Sequence, residues 1–286
     1  MKLMNKKNVQ LLLEELRITP NKKFGQNFLI DNNILTKIIS TAEITDKDTV
    51  LEIGGGLGAL TTELIKKSKF VIVYEIDYKL YQFLLKKFSK FDNITFFNED
   101  ILKAEVPDHS IVVSNIPYSI TGPLFEKLFY KENPPNGTLI IEQAIANRIF
   151  FPHRYKNFSR ISITSNAFIN PVKKISISQN CFYPNPKINL SLVKFKPKEI
   201  VNPFLQNREK RAFFLKFIAN IMPYKNKNIV NALELFLKNL YNFEVKKSSL
   251  TKLLERYNYQ NEKLFNFEIH EFIKLSELLY NYIKQQ

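Results

Sequence analysis

Four consecutive residues, Asn115-Ile116-Pro117-Tyr118, combine the groups needed to hold an aromatic amine. They follow an apolar run, so they should lie where a buried strand ends. The amide oxygen of Asn115 and a neighbouring main-chain carbonyl can accept the two hydrogens of an amino group. Pro117 has a fixed φ and no N–H, and the ring of Tyr118 offers a surface on which a base can stack. A strand that ends in a proline turn explains the same residues, and this tetrad alone leaves both interpretations open.

The chemistry that such a site suits is methyl transfer to adenine. The exocyclic amine of adenine is a poor nucleophile because its lone pair is delocalised into the ring, and two acceptors would localise that lone pair on nitrogen. Methyl transfer is an in-line displacement that depends on close approach and alignment, so no catalytic His or Cys is required. The base must first leave its helical stack and be held between aromatic rings.

A glycine cluster marks a second candidate site. Four of the seven glycines in the chain follow an apolar run that ends at Ile53: Gly54, Gly55, Gly56 and Gly58. Such a cluster predicts a strand-to-helix turn where a ligand approaches the backbone closely. The spacing Gly54-x-Gly56-x-x-Ala59 also fits the relaxed dinucleotide fingerprint. The glycines therefore do not distinguish an NAD site from an S-adenosylmethionine site.

Acidic and amide side chains follow successive predicted strands. Glu75 is placed to accept hydrogen bonds from both ribose hydroxyls of an adenosine, a feature that NAD and S-adenosylmethionine enzymes share. Asp100 is placed to accept from an adenine amino group, although capping of the next helix would also explain it. Together with Asn115, these residues should lie at the carboxyl edge of an open parallel sheet, where ligands bind.

The elements that must position these residues follow an α/β pattern. Short apolar runs at 49–53, 70–76, 94–97, 110–113 and 138–141 alternate with amphipathic stretches at 60–67, 79–88 and 122–129, which predicts a Rossmann-like, mostly parallel sheet. Alternating residues at 161–164 and 175–178, with the run at 190–195, predict an antiparallel edge. After a linker near 196–203, helices are expected at 208–221, 228–240, 248–257 and 270–283. We therefore predict a first domain at residues 1–200 and a small all-helical domain at 201–286.

Composition limits the classes of partner. The 286 residues include 42 Lys and Arg against 27 Asp and Glu, a formal net charge of +15, with the excess on both sides of the linker. This favours nucleic acid over an acidic membrane surface, because no strongly basic amphipathic helix stands out. A single cysteine, Cys181, and three scattered histidines predict neither a disulfide framework nor a metal site. No signal peptide or membrane span is recognisable, so we expect a cytoplasmic protein.

Two further segments carry polar groups that a nucleotide could use. Residues 22–31 combine the cations Lys22 and Lys23 with amides and aromatics, so they could form a lid over a cofactor; a helix start near residue 31 explains part of the pattern equally. Lys225 and Lys227 lie beside amides between two predicted helices. They could grip phosphate or simply belong to a solvated loop.

Taken together, these motifs resemble the KsgA family of ribosomal RNA adenine dimethyltransferases. The resemblance covers nearly the whole chain and rests on residues 24–31, 51–58, 75–77, 99–100, 115–118 and 182–187, with a weaker match at residues 224–233. It implies a class I methyltransferase fold, S-adenosylmethionine as methyl donor, and dimethylation of two adjacent adenosines in a hairpin near the 3′ end of small-subunit rRNA. The implied partners are this rRNA and a pre-30S-type particle, bound by a monomer whose helical domain contacts the rRNA.

The resemblance also implies residue roles. The residues expected to bind the cofactor are Gln26, Asn27, Leu29, Gly54, Gly56, Glu75, Asp100, Ile101 and Asn115. The residues expected to form the substrate site are Asn115, Ile116, Pro117 and Tyr118, with Phe182 as the opposite stacking face. Two positions depart from the family pattern: Ser119, where Asn is common, and Gly55, where Pro is frequent.

Other functions remain open at this point. Erythromycin-resistance methylases share most of the motifs and modify large-subunit rRNA. A ribosome-assembly factor that binds without catalysis is a second alternative, although the intact tetrad and glycine cluster argue against binding as its sole role. An NAD oxidoreductase is a third.

Overall fold

The computed structural model describes residues 5–21, 24–154 and 157–285. The chain forms two compact units. The first contains Met1–Phe129, Pro134–Ala146 and Ile169–Pro197, and the second contains Tyr130–Asn133, Asn147–Phe168 and Lys198–Gln286. The last crossing between the units falls within the predicted linker. Residues 130–133 and 147–168, however, belong to the second unit, whereas the prediction placed them in the first domain.

The first unit alternates strands and helices over most of its length. Its strands are β1 (Phe28–Leu29), β2 (Thr49–Ile53), β3 (Phe70–Tyr74), β4 (Ile94–Phe97), β5 (Ile111–Asn115), β6 (Asn136–Glu142), β7 (Ile169–Ile177), β8 (Phe182–Tyr183) and β9 (Leu190–Pro197). Its helices are α1 (Lys6–Glu15), α2 (Asn32–Ala42), α3 (Ala59–Lys67), α4 (Tyr78–Lys87) and α5 (Thr121–Phe129), and α6 (Gln143–Phe150) contains a boundary between the units. The predicted parallel strands and their helices are confirmed to within two residues at each end.

Within the described ranges, seven strands form one sheet in the order β4-β3-β2-β5-β6-β9-β7. The first five are mutually parallel, and β9 and β7 are antiparallel, which confirms the predicted edge. The chain builds β3 and β4 on one side of β2 and then returns to place β5 and β6 on the other side. This reversal between β2 and β5 opens a crevice beyond their carboxyl ends, and such a crevice is where an open α/β sheet binds ligands.

Helix α7 (Arg160–Phe168) corrects one prediction, because residues 161–164 were expected to form a strand. The hydroxyls that suggested alternation bond to their own backbone: Ser162 Oγ donates to the carbonyl oxygen of Ser159 at 2.6 Å, and Thr164 Oγ1 donates to that of Arg160 at 2.9 Å. Polar side chains satisfied in this way can be buried on a helix. Both are buried here, so a four-residue alternation was too short to separate the two structures.

The second unit is helical beyond the linker, as predicted. It contains α7, α8 (Pro203–Gln206), α9 (Arg208–Ile221), α10 (Ile229–Tyr241), α11 (Lys247–Arg256) and α12 (Ile269–Lys284). Its core combines aliphatic and aromatic side chains, and the rings of Phe217 and Phe236 meet edge to face at 5.2 Å. Lys225 Nζ donates to the carbonyl oxygen of Phe158 at 2.9 Å, which gives this lysine a structural role. None of the helices in the described part of the chain is long and apolar enough to cross a membrane.

Gly137, in the central strand β6, makes room for the main aromatic cluster of the first unit. The fully buried rings of Phe125, Phe129 and Phe195 lie 5.2–5.4 Å from one another, and a Cβ on Gly137 would overlap the ring of Phe195. Each ring is held by the other two, so none can move without disturbing the cluster. A side chain at this position would therefore overpack the core.

We expect Gly137→Ala to lower the free energy of unfolding by about 1–3 kcal/mol. Gly122→Ala is the matched control, because a Cβ on this exposed glycine in α5 meets nothing within 4 Å. It should change the free energy of unfolding by less than about 0.5 kcal/mol, since an exposed substitution of this kind disturbs no packing. Urea unfolding of both variants provides the measurement, and equal effects would contradict the packing argument.

Candidate functional site

The glycine cluster forms a tight turn between β2 and α3. Gly54, Gly56 and Gly58 have positive φ values of 75°, 55° and 74°, a region that side chains with a Cβ rarely adopt. Gly54 N donates to the carbonyl oxygen of Tyr74 at 2.7 Å, which joins the turn to the end of β3. The turn therefore presents bare backbone at the carboxyl edge of the sheet.

Gly55 departs from the family pattern for a packing reason. A Cβ at this position would lie 2.8 Å from both Val73 Cγ1 and Leu84 Cδ1. Val73 and Leu84 are fully buried, so in this chain their methyl groups occupy the space that a proline ring would need. Glycine at this position thus matches the local core and leaves the turn intact.

Glu75 lies directly beside this turn. Its Oε2 accepts from Gly56 N and its Oε1 accepts from Asp77 N, each at 2.9 Å. The side chain is buried, and this burial raises the pKa of the carboxyl above its usual range. Each carboxylate oxygen has a second lone pair. The side chain is therefore fixed in position and can still accept from a ligand.

A cavity of about 240 Å³ lies beyond the carboxyl ends of β2, β3 and β5. It brings together most of the residues predicted for the site: Gln26, Asn27, Gly54, Gly56, Glu75, Asp100, Ile101, Asn115 and Pro117. Leu29 lines a smaller adjoining cavity of about 50 Å³, which shares Asn27, Gly54, Gly56 and Asn115. Ser119, the second departure from the family pattern, also lines the main cavity.

Asp100 caps a turn and not the helix that was expected to follow it, and its predicted contact with an adenine amino group stays a prediction. Its Oδ1 accepts from Leu102 N at 3.0 Å, as a residue that caps a turn does, and the residue also lines the main cavity. Ile101 beside it is buried, so it contributes an apolar wall.

The side-chain amide of Asn115 has one polar atom that is hydrogen-bonded to a described residue and one that is not. Its Nδ2 donates to the carbonyl oxygen of Asn27 at 3.0 Å, which fixes the plane of the amide. Its Oδ1 is buried and has no hydrogen-bond partner among the described residues. An unsatisfied buried acceptor costs about 1–3 kcal/mol, so it points to a ligand that donates a hydrogen at this position. An amino group is such a ligand.

The predicted aromatic sandwich is not open in this structure. The ring of Phe182 is 0 % exposed, because β8 pairs with β1 and the side chain packs in the central apolar cluster, so its assignment as an accessible stacking face is wrong for this conformation. Tyr118 packs against the same cluster but is half-buried. Its hydroxyl is buried with no partner in the described part of the chain, and burial raises its pKa. The side chain of Ile116 is also buried, so only its main chain can face a base.

The residues of the predicted lid differ in what they contact. Asn27 supplies the carbonyl that holds Asn115, whereas Gln26 uses its amide to bind other protein groups. Lys22 and Lys23 lie outside the described residues. The segment from Phe24 to Leu29 is nonetheless part of the site, because all six of its residues line one or both cavities.

Glu52, which is buried, and Lys87, which is half-buried, are two ionisable residues that sequence reasoning did not identify. Glu52 Oε2 accepts from Thr61 Oγ1 at 2.7 Å beneath the glycine turn, and Lys87 Nζ donates to the carbonyl oxygen of Leu57 at 2.7 Å. Burial raises the pKa of Glu52 to about 8 and lowers that of Lys87 to about 8, the latter partly opposed by the charge of Glu52. An acid within an otherwise apolar strand was a signal for Glu52. Lys87, at the end of a lysine-rich helix, had none.

Glu52 should make stability depend on pH. Between pH 4.5 and about 8 the folded protein retains a proton that the unfolded chain releases, so stability falls as pH rises through this window. Glu52→Gln has no such proton. We expect the variant to gain stability relative to the unmodified protein with rising pH, and the difference to level off above about pH 8. Urea unfolding at several pH values measures this, and a constant difference would mean that Glu52 is ionised in the folded state throughout.

The strand order, the glycine turn after β2, the buried carboxylate after β3 and the Asn-x-Pro-Tyr tetrad after β5 define a class of protein. It is the class I methyltransferases, which confirms the predicted fold class. The site, with its open acceptor beside the cavity, is of the kind that receives an amino group.

Comparison with known proteins identifies the family. The model for "Ribosomal RNA adenine dimethylase" matches residues 17–269, and the chain belongs to this family. A relative named "Ribosomal RNA small subunit methyltransferase A" from Thermotoga maritima is 38% identical over 79% of this chain and 78% of its own length. The methyl donor of the family is S-adenosylmethionine.

Solved structures agree on the fold. A dimethyladenosine transferase from Plasmodium falciparum superposes with a TM-score of 0.75 at 27% identity, over 90% of this chain and 98% of that one. The 23S rRNA methyltransferase ErmE superposes with a TM-score of 0.61 at 23% identity, over 89% and 100% of the two chains. At that identity the likeness to ErmE concerns the fold alone.

Proposed function

We propose that this protein dimethylates the exocyclic amines of two adjacent adenosines in a hairpin near the 3′ end of small-subunit rRNA. The observation that carries this proposal is the buried, unpartnered Oδ1 of Asn115 at the edge of the cavity. The name of the Thermotoga maritima relative supports the small subunit as the source of the substrate.

The residues around the main cavity suit the cofactor. S-adenosylmethionine supplies an electrophilic methyl group on a sulfonium sulfur. Glu75 accepts from the ribose hydroxyls, and Asp100 accepts from the adenine amino group of the cofactor. Gly54 and Gly56 leave space for a ligand beside the backbone. Among the described residues, no atom would lie closer than 3.4 Å to a Cβ at either position, so this space is not filled by the protein. Asn27, Leu29 and Ile101 complete the walls, whereas Gln26 acts through other protein groups.

The tetrad positions the target amine. Asn115 Oδ1 accepts one hydrogen and a main-chain carbonyl of the tetrad accepts the other, which directs the nitrogen lone pair at the methyl carbon. With the cofactor bound, an N–C bond would form as the S–C bond breaks, and the nitrogen would then lose a proton to water. A monomethylated amine still has one hydrogen for Asn115 Oδ1. The same acceptor can therefore orient the amine for a second transfer.

The protein would act on a ribosomal particle as well as on RNA. The net charge of +15 suits a polyanionic partner, and we propose that a pre-30S-type particle presents the hairpin to a monomer in the cytoplasm. The helical second unit would contact rRNA. A role in small-subunit biogenesis follows from a substrate of this kind.

Methylation of large-subunit rRNA is the second candidate, because the erythromycin-resistance methylases share most of the sequence motifs found in this chain. The two functions differ in substrate and share their chemistry, so the substrate must be tested directly. Mass spectrometry of nucleosides, after incubation with S-adenosylmethionine and either unmethylated small subunits or protein-free large-subunit rRNA, separates them. Dimethyladenosine only in the large-subunit reaction would overturn the proposal, and product in neither would leave a binding factor.

Asn115→Ala removes the acceptor from the tetrad. By analogy with the loss of one transition-state hydrogen bond, we expect the yield of dimethyladenosine per unit time to fall by about 10²–10³-fold in the small-subunit reaction. A thermal unfolding curve close to that of the unmodified protein would show that the loss is chemical. Undiminished turnover would exclude Asn115 as the acceptor.

Tyr118 provides a test of stacking. Tyr118→Phe keeps the ring and removes a hydroxyl that has no partner in the described part of the chain, so we expect activity to be retained. Tyr118→Ala removes the ring, and the loss of about 1–3 kcal/mol of stacking should raise KM for small subunits by about 5–150-fold. Steady-state kinetics of both variants measure this. A large defect in Tyr118→Phe would instead assign the hydroxyl a role.

A further inference from the structure

Gln26 lines the main cavity, but its amide is engaged by protein groups at both ends. Its Oε1 accepts from Asn21 N at 2.7 Å, and its Nε2 donates to Asp77 Oδ2 at 2.9 Å. The second of these bonds joins two segments that are 51 residues apart in the chain. The side chain therefore connects the segment before β1 to the first turn of α4.

Asp77 links this hydrogen bond to Glu75, the residue proposed to bind the ribose of the cofactor. Its Oδ1 caps α4 by accepting from Lys79 N at 3.0 Å and Leu80 N at 3.3 Å. Its own N–H donates to Glu75 Oε1 at 2.9 Å. A shift of Asp77 would therefore move both the start of α4 and the carboxylate proposed to hold the ribose.

The two neighbours of Gln26 in the chain link the Gln26–Asp77 hydrogen bond to the tetrad that is proposed to hold the target amine. Gly25 has a positive φ of 61°, and a Cβ there would lie 3.3 Å from Pro117 Cβ. Asn27 accepts from Asn115 Nδ2 through its carbonyl oxygen at 3.0 Å, and its own Nδ2 donates to the carbonyl oxygen of Gly25 at 2.9 Å. The residues on both sides of Gln26 thus rest against the tetrad.

We propose that the Gln26–Asp77 hydrogen bond is a latch that couples cofactor binding to the alignment of the target amine. It rests on the proposed function, because that function assigns the cofactor to Glu75 and the amine to Asn115. Gln26 is then a positioning residue: its amide is engaged by protein groups, and it acts through Asp77 on one side and Asn27 on the other. Breaking the latch loosens the residues before β1, from Phe24 to Asn27, and with them both acceptors.

An exchange of the two partners tests the latch. Gln26→Glu places two carboxylates against each other. Asp77→Asn places two amide N–H groups against each other, because the oxygen of the substituted side chain is still needed as the helix cap. The double variant, with Gln26→Glu and Asp77→Asn, restores a donor and an acceptor with their polarity reversed. It has the same net charge as the unmodified protein and keeps an acceptor for Asn21 N.

Two measurements are made on each full-length variant. The dissociation constant of S-adenosylmethionine is measured by calorimetry without RNA. The kcat for small subunits is then calculated from the concentration of cofactor-binding sites that the same titration gives. We expect each single substitution to weaken binding and to lower kcat by about tenfold, which is the size expected for the loss of a hydrogen bond to a charged group. The double variant should recover both quantities to within about threefold.

The outcomes separate a latch from a merely structural contact. A contact that only stabilises the fold would change the melting temperature while leaving both quantities unaltered in folded protein, and this result would overturn the proposal. A double variant no better than the single variants would overturn it as well. If Gln26→Glu fails to fold, Gln26→Met removes the bond without adding a charge and should shift both quantities in the same direction. Failure of the proposed function would appear separately, as unmodified protein that binds cofactor but yields no dimethyladenosine.

Discussion

The hydrogen bond from Asn115 Nδ2 to the carbonyl oxygen of Asn27 determines what this site can do. An amide side chain offers both donors and an acceptor, and which of them faces the cavity depends on what holds the other. Because Asn27 engages the nitrogen, the oxygen is the atom left open. The sheet, the glycine turn and the segment from Phe24 to Leu29 together place this open acceptor at the edge of the main cavity.

This arrangement leaves polar groups unsatisfied in the folded protein. Asn115 Oδ1 and the hydroxyl of Tyr118 are both buried without a partner among the described residues, and each such group is unfavourable by about 1–3 kcal/mol. Natural proteins depart from full satisfaction of polar groups chiefly at functional sites. The aromatic clusters at the far end of β6 and within the second unit offset such penalties by burying large side chains.

Most of the fold and the location of the site could be predicted from the sequence because both depend on local patterns. Apolar runs mark the parallel strands, and the residues that follow those runs meet at one edge whatever the details of packing. Phe182 could not be assigned correctly in this way. Its motif resembles a stacking residue, but its burial is set by the pairing of β8 with β1, a contact between distant segments.

Gln26 and Lys87 show that the hydrogen-bond partners of polar side chains are equally hard to predict when they come from distant segments. Gln26 belongs to a segment predicted to bind cofactor, yet its partner Asp77 is identified only by geometry. Lys87 has the sequence context of a solvent-exposed lysine, and only the approach of α4 to the glycine turn makes it a half-buried donor. The approximate place of Gln26 was therefore predictable and its partner was not, whereas the role of Lys87 left no signal in the sequence.

Strand β7, at the rim of the sheet, bears on how copies of the protein behave at high concentration. Its outer edge would otherwise offer a row of free backbone groups to a strand of another molecule. Pro171 interrupts that row because it has no N–H. The register of β7 against β9 shifts between Pro171 and Lys173, and Lys173 and Lys174 place two positive charges next to each other on the strand. At the opposite rim β4 is only four residues long. Both rims thus resist aggregation by strand addition, which keeps a protein with an extensive apolar sheet dispersed while it searches for its RNA.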